Sequence, residues 1–354
     1  MGTELLRVPE RCHGDHGTYR GATFRIMTKL AVFGTGNAVT TQAASVHSAV
    51  GATLVAIGAP QIADAELLAE PWGVRPFSNN SLPSKIDGLV IVSESQGQDA
   101  LAAERVGDLI EQAIARRLPT LVCGPLGPSL LQTDTLIALA ESNSSTLCYG
   151  ENLLHAPVLL SAAQRGQQLS GIDHSAVRFY LEPSDASLTS AVRQLGPRAF
   201  AISCSVSSST PEGLRCTLTH TPEGVVVGAH IEVRYADRFV GTIDLGWINE
   251  GSDISVQISS PESVIRSEVS PGTELQVNGD PVPLAQPSES LPDDGLFHLG
   301  YVQQIGGFAA AISGRGGRLC PAGFGRLVQE LSVAAELAGD SGEEVALPYA
   351  GPRT

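Results

Sequence analysis

The chain opens its regular patterning at Lys29, which is followed by the apolar run Leu30 to Phe33, then by Gly34-Thr35-Gly36 and a small-residue stretch. A continuous apolar run of this length predicts a buried strand, and Asn37 to Val50, alanine-rich and without glycine or proline, predicts a helix. The rhythm repeats. Strands are expected at 53–57, 88–92, 120–123 and 146–149, with helices at about 62–70, 98–117 and 129–142 between them. Strands alternating with helices of this length imply a parallel, doubly wound sheet whose ligand cleft lies over the carboxyl ends of the strands.

Past residue 150 the pattern changes. A helix is expected at about 151–166, followed by strands at 176–181, 199–206, 214–220, 225–235, 242–247, 254–258 and 263–269. Turn residues such as Pro222-Glu223-Gly224 and Asn278-Gly279-Asp280 separate them, so an open, largely antiparallel sheet is expected. Residues 281–295 read as a loop or strand extension, 323–338 as a final helix and 345–348 as a short terminal strand. The expected fold class is therefore α/β: a Rossmann-type doubly wound sheet at 27–149, then an α+β substrate or oligomerisation domain at 150–348, with an extension at 1–26 and a tail at 349–354.

Composition narrows the function. Of 354 residues, 42% are hydrophobic and 17% charged, which is globular, and no apolar run reaches membrane-spanning length. Twenty-two basic against 37 acidic residues leave a net charge of -15, which argues against nucleic acid as a partner. The six cysteines form no CxxC pair, so a reduced, cytoplasmic setting is expected, and residues 1–26 lack the hydrophobic core of a signal peptide. Cys12, His13 and His16 are potential metal ligands by type, but three of them on a polar tail do not make a site, and no metal is expected.

The turn after the first strand carries the candidate chemistry. Glycines there let a pyrophosphate approach backbone N–H groups at a helix N-terminus. Val39 holds the third glycine position of that fingerprint, where a branched side chain is expected to crowd the helix against its strand. Gly58-Ala59-Pro60 ends the second strand, with no carboxylate to mark NAD and no arginine to mark NADP. Candidate cofactor contacts at the strand ends are Gly34, Gly36, Asn37, Ser93, Glu94, Ser95, Cys123 and Gly124. His220 and His230 are expected on a face of the antiparallel sheet, and Asp173-His174 in an exposed turn.

FGTGN at 33–37, CGPLG at 123–127, GENLLHAP at 150–157, DLGW at 244–247, GGFAAAISG at 306–314 and VALP at 345–348 follow one another in the order and spacing of a known family. Over residues 28–348 the chain resembles the Gfo/Idh/MocA oxidoreductases, such as glucose-fructose oxidoreductase and inositol dehydrogenase. The resemblance implies a Rossmann domain plus an open sheet that often forms subunit contacts, with NAD or NADP as cofactor. It implies a small sugar, cyclitol or secondary-metabolite intermediate as substrate, and assembly as a homo-oligomer through that sheet or a hetero-oligomer with an active relative.

The family's usual Glu-Lys-Pro after the fourth strand is here replaced by Cys123-Gly124-Pro125, without the lysine. Its acid/base His and Asp on a helix of the second domain correspond, counting back from Leu195-Gly196, to Ala186 and Thr189 in the stretch DASLTSAVRQLG, 185–196. The segment GENLLHAP would face the substrate, which makes Glu151 and Asn152 candidate substrate contacts and His155 a substitute acid or base. Two functions follow: an oxidoreductase with an atypical site, or a catalytically silent homologue that binds or partners an active relative.

Overall fold

The computed structural model describes residues 27–93, 100–169, 171–183, 190–206, 209–286 and 294–349, without the side chains of 100–105 and 294. The first part contains β1 (Thr28–Phe33), α1 (Gly36–Ser48), β2 (Ala52–Ala59), α2 (Ile62–Ala69), β3 (Arg75–Ser78) and β4 (Gly88–Val92). It continues through α3 (Ala100–Ala115), β5 (Thr120–Cys123), α4 (Leu130–Ser142) and β6 (Leu147–Gly150). These strands lie parallel in the order β6-β5-β4-β1-β2-β3. Every residue of β4 is buried, as a central strand covered by helices on both faces requires. Phe33, Ile91, Leu109, Ile110 and Leu136 fill one face of the sheet, and Leu30, Val32, Val46, Ile305 and Phe308 the other. The short edge strand β3, interrupted by Pro76, is absent from the sequence expectation because its four residues carry no strand pattern.

The second part begins with a 3-10 turn, Asn152–His155, and α5 (Pro157–Gly166). One helix over 151–166 was expected. The chain breaks at Ala156, whose ψ of 128° is extended, because the residue before a proline is pushed out of the helical region. Then follow β7 (His174–Leu181), α6 (Ala191–Ser205), β8 (Pro211–His220), β9 (Val226–Tyr235), β10 (Val240–Trp247), β11 (Ser252–Ser259), β12 (Val264–Ser270), β13 (Glu274–Val277) and β14 (Asp280–Pro281). The chain ends with α7 (Asp294–His298), α8 (Tyr301–Ile312), β15 (Cys320–Pro321), α9 (Ala322–Ser341) and β16 (Val345–Ala346). The second sheet runs β14-β13-β12-β11-β7-β10-β9-β8-β16, antiparallel except where β7 and β10 pair in parallel.

In β9 the residues Ala229, Ile231, Val233 and Tyr235 turn inward, while His230, Glu232 and Arg234 stand exposed. Among the described residues this alternation leaves one face of the sheet polar and uncovered. The other face carries α5, α6 and α9 over a core of Val177, Phe179, Phe200, Ile231 and Leu331.

Three expectations need correction. Residues 199–206 do not form a strand, since all but Val206 belong to α6. Ser190, whose hydroxyl accepts from the Arg193 N–H, starts that helix, and Ala199 to Ser205 are all buried between the sheet and α9. A helix segment apolar all round has no 3.6-residue signature and reads as a strand. Helix α8 was not expected, because Gly306 and Gly307 depress helix propensity. Gly307 is needed there, since a side chain would come within 2.9 Å of the Arg318 carbonyl oxygen. Finally, His174 lies in β7, half-buried, with Nε2 3.1 Å from the Thr242 hydroxyl rather than in an exposed turn.

The last segment ties the two sheets together. Helix α8 packs beside α1, and β15 joins β6 as an antiparallel edge of the first sheet, whereas β16 pairs with β8 in the second.

Candidate functional site

The cleft floor is built from the carboxyl ends of β1, β4, β5 and β6. At the end of β1, Gly34 has φ 154° and Gly36 φ 62°, and α1 begins at Gly36. A side chain on Gly34 would lie 2.9 Å from Val92 Cβ and 3.0 Å from Val39 Cγ2. Val39 is fully buried and occupies the space that Gly34 leaves. The branched residue at the third position is thus absorbed into the core beneath the turn and does not crowd helix from strand. Thr35, Gly36 and Asn37 are exposed, and the first turn of α1 has no side-chain cap and no acidic residue. Those N–H groups fit an anion such as a pyrophosphate. At the end of β2, Ala59 and Pro60 offer no charge or side-chain donor to a ribose.

The ends of β4 and β5 are locked together. The Ser93 N–H donates to the Cys123 carbonyl at 2.9 Å, and Gly124, at φ 122°, sits so close that a Cβ would meet the Ser93 oxygen at 1.9 Å. Glu94 and Ser95, also expected at this edge, lie outside the described residues. The Cys123 thiol is half-buried over Gly150 and accepts from Gln42 Nε2 at 3.4 Å. Burial pushes its pKa up to about 12, helped by the charge of Glu151 and opposed by that of Arg198, so it stays a neutral thiol.

Glu151 follows β6 directly and is 4% exposed. Its Oε1 accepts from the Leu153 N–H at 3.2 Å, and its Oε2 is 3.9 Å from Nε of Arg198 on α6. Burial raises its pKa, while the Arg198 charge and the Leu153 N–H hold it back. Asn152 turns its Nδ2 to the Leu299 carbonyl at 2.8 Å. With its oxygen toward the loop, the Gln304 amide accepts from the N–H groups of Glu151 at 2.9 Å and Asn152 at 3.2 Å. Together these bonds fix the loop that carries Glu151. His155 is 5% exposed, and burial, with the charge of Arg318 second, lowers its pKa to about 4.

Two residues of the cleft escaped the sequence reading. Tyr301, the first residue of α8, is half-buried and hydrogen-bonds Arg198; burial raises its pKa and Arg198 opposes the shift. Arg198 comes from the second sheet's helix and senses Glu151, Tyr301, Tyr149 and Cys123 around it. The available signal was its isolation, since no other charged residue lies between Arg193 and Glu212. Ala186 and Thr189 lie outside the described residues.

Residues 28–151 match the GFO_IDH_MocA model, described as an oxidoreductase family with an NAD-binding Rossmann fold. Over these residues the chain is similar to that family's NAD-binding domain. A search of curated proteins finds no match. Among solved structures, GenD2 from gentamicin A biosynthesis in complex with NAD is 18% identical, with a TM-score of 0.75, over 93% of this chain and 99% of that one. A myo-inositol dehydrogenase from Corynebacterium glutamicum is 18% identical over 92% and 100% of the two chains, with a TM-score of 0.74. UDP-N-acetylglucosamine 3-dehydrogenase GnnA from Acidithiobacillus ferrooxidans is 15% identical over 89% and 99%, with a TM-score of 0.76. At these identities the likeness establishes a shared fold, a Rossmann domain followed by the open sheet. Among the described residues no helix is long and apolar enough to cross a membrane.

Proposed function

We propose that this chain is an NAD(P)-dependent oxidoreductase of a small sugar, cyclitol or related secondary-metabolite intermediate, with an atypical proton-handling group. The observation that carries this reading is Glu151, a carboxyl group with raised proton affinity over the same strand ends as the uncapped glycine turn of α1. A bound dinucleotide would supply the hydride chemistry. Gly34, Gly36 and Asn37 would hold its pyrophosphate, and Ser93, Glu94, Cys123 and Gly124 would border its other half. Nothing at the end of β2 chooses between NAD and NADP.

Glu151 takes the proton of the substrate hydroxyl at Oε2 and returns it in the reverse direction. A carboxyl group whose proton affinity burial raises suits both tasks. Asn152 and Gln304 hold its loop. His155, neutral and buried, is a packing residue whose ring supplies no proton at neutral pH. The NAD-bound and polyol-acting neighbours support the substrate class. In keeping with free cysteines throughout the described residues, the setting is cytoplasmic. The uncovered polar face of the second sheet, with its His230–Asp244 pair at 2.7 Å, is assigned to contact with another copy or an active relative.

A second reading, a silent homologue, is favoured by Gly124-Pro125 after β5, where the resemblance implies a lysine. Titration with NADH and NADPH separates the two. Binding of either, read as tryptophan quenching or a raised melting temperature, is expected. In an active preparation Glu151→Gln should lower turnover about 100-fold or more. No response to either nucleotide at millimolar concentration leaves the silent homologue.

A further inference from the structure

Arg198 is one of two charged residues on α6; Arg193 pairs with Glu336 at 2.6 Å, whereas Arg198 faces Glu151 at the end of the first sheet. A charge on such an inward-facing helix persists only where it is paired, and its pairing here is incomplete. At 3.9 Å the Glu151 carboxylate balances the guanidinium charge without a hydrogen bond, because its other oxygen is committed to the Leu153 N–H. Tyr301 orients the group from a third element. The Arg198 side chain remains 45% exposed beside a counter-ion that is 5% exposed. The result is a planar donor fork held by Glu151 and Tyr301 that keeps accessible surface of its own.

We propose that Arg198 is a specificity-determining residue that selects substrates bearing an acidic group, a carboxylate above all, and holds that group in the cleft. The proposal deepens the oxidoreductase reading and rests on it for the identity of the cleft. A guanidinium fork matches a carboxylate with two parallel hydrogen bonds, which a neutral hydroxymethyl group cannot reproduce. On a chain with a net charge of -15, a cation retained at this point also draws anions locally against the overall field. Glu151, tied to the backbone, need not move when the anion arrives, so Arg198 bridges two carboxylates.

The test is calorimetric titration of the full chain with D-glucuronate, D-glucose and D-glucose 6-phosphate, with and without NADH. Glucuronate differs from glucose only at the terminal carbon. Its Kd is expected to be at least about tenfold lower, since charge-assisted hydrogen bonds dominate the difference. Arg198→Gln should abolish the preference, with circular dichroism checking that the variant folds, and Arg198→Lys should retain part of it. A stronger preference for glucose 6-phosphate assigns the acidic group as a phosphate and still requires loss in Arg198→Gln. Equal affinities in the wild type, a preference that survives Arg198→Gln, or no anion binding overturns the proposal. If NADH fails to bind while the arginine-dependent preference holds, the oxidoreductase reading falls and anion selection stands.

Discussion

Glu151, in the loop that leaves the first sheet after β6, and Arg198, on helix α6 against the second sheet, meet with Oε2 3.9 Å from Nε. The pair closes the floor of the cleft, and each member sets the proton affinity of the other's surroundings: Arg198 opposes the burial that raises Glu151, Tyr301 and Cys123. Arg198→Gln should therefore move the pKa of Glu151 further upward. In an active preparation the acidic limb of the pH–rate profile should shift to higher pH, and an unshifted limb would separate the two groups.

His155 titrates against folding. Its pKa falls from the ordinary 6.5 to about 4, so the folded state prefers the neutral ring. The associated stability is complete above pH 6.5 and is lost as the pH falls toward 4, by roughly 3 kcal/mol at most. Urea midpoints at pH 7.5 and pH 5 should diverge more for the wild type than for His155→Asn. Equal pH sensitivity would mean that the imidazole is solvated.

Val39 is core in this fold, although its position belongs to a glycine fingerprint. Val39→Ala should cost about 2 kcal/mol through the lost methyl groups and the cavity they leave. Chemical denaturation measures it. A stabilised variant, or one with stability unchanged, would show that the side chain crowds the turn after all.

Cys123 should resist alkylation. With a thiol pKa of about 12, almost no thiolate exists at pH 8. Mass spectrometry after iodoacetamide treatment of the native protein should find it unmodified, and modification within minutes would contradict the burial that raises it.

Gly124 permits the junction of β4 and β5. Gly124→Ala meets both a positive φ and the Ser93 carbonyl, so a loss of at least about 2 kcal/mol is expected. A melting temperature within a degree of wild type would show that the strand ends relax freely.

The first sheet was readable in the chain because its central strands are buried on both faces and bounded by clear breakers: Gly88–Val92 and Thr120–Cys123 coincide with the expected spans. The glycine turn was equally legible, since local backbone geometry demands it. Arg198 and Tyr301 were not. Arg198 directly precedes the segment 199–206 that was misread as a strand, and Tyr301 began a helix hidden by two glycines, so neither could be assigned a direction. Their meeting with Glu151 depends on how α6 and α8 pack, which periodicity along one segment does not encode. Ala186 and Thr189, where the resemblance implies acid/base groups, lie outside the described residues.

The return of Cys320–Pro321 to the first sheet, followed at once by α9 and Val345–Ala346 in the second, means that each half takes an edge strand from the segment after α8. Cutting the polypeptide near residue 150 would not release a free-standing nucleotide module, because that module lacks its edge strand and the helix beside α1. Synthesis from the ribosome would leave both sheets open along one side until the end, and the two should melt in a single transition.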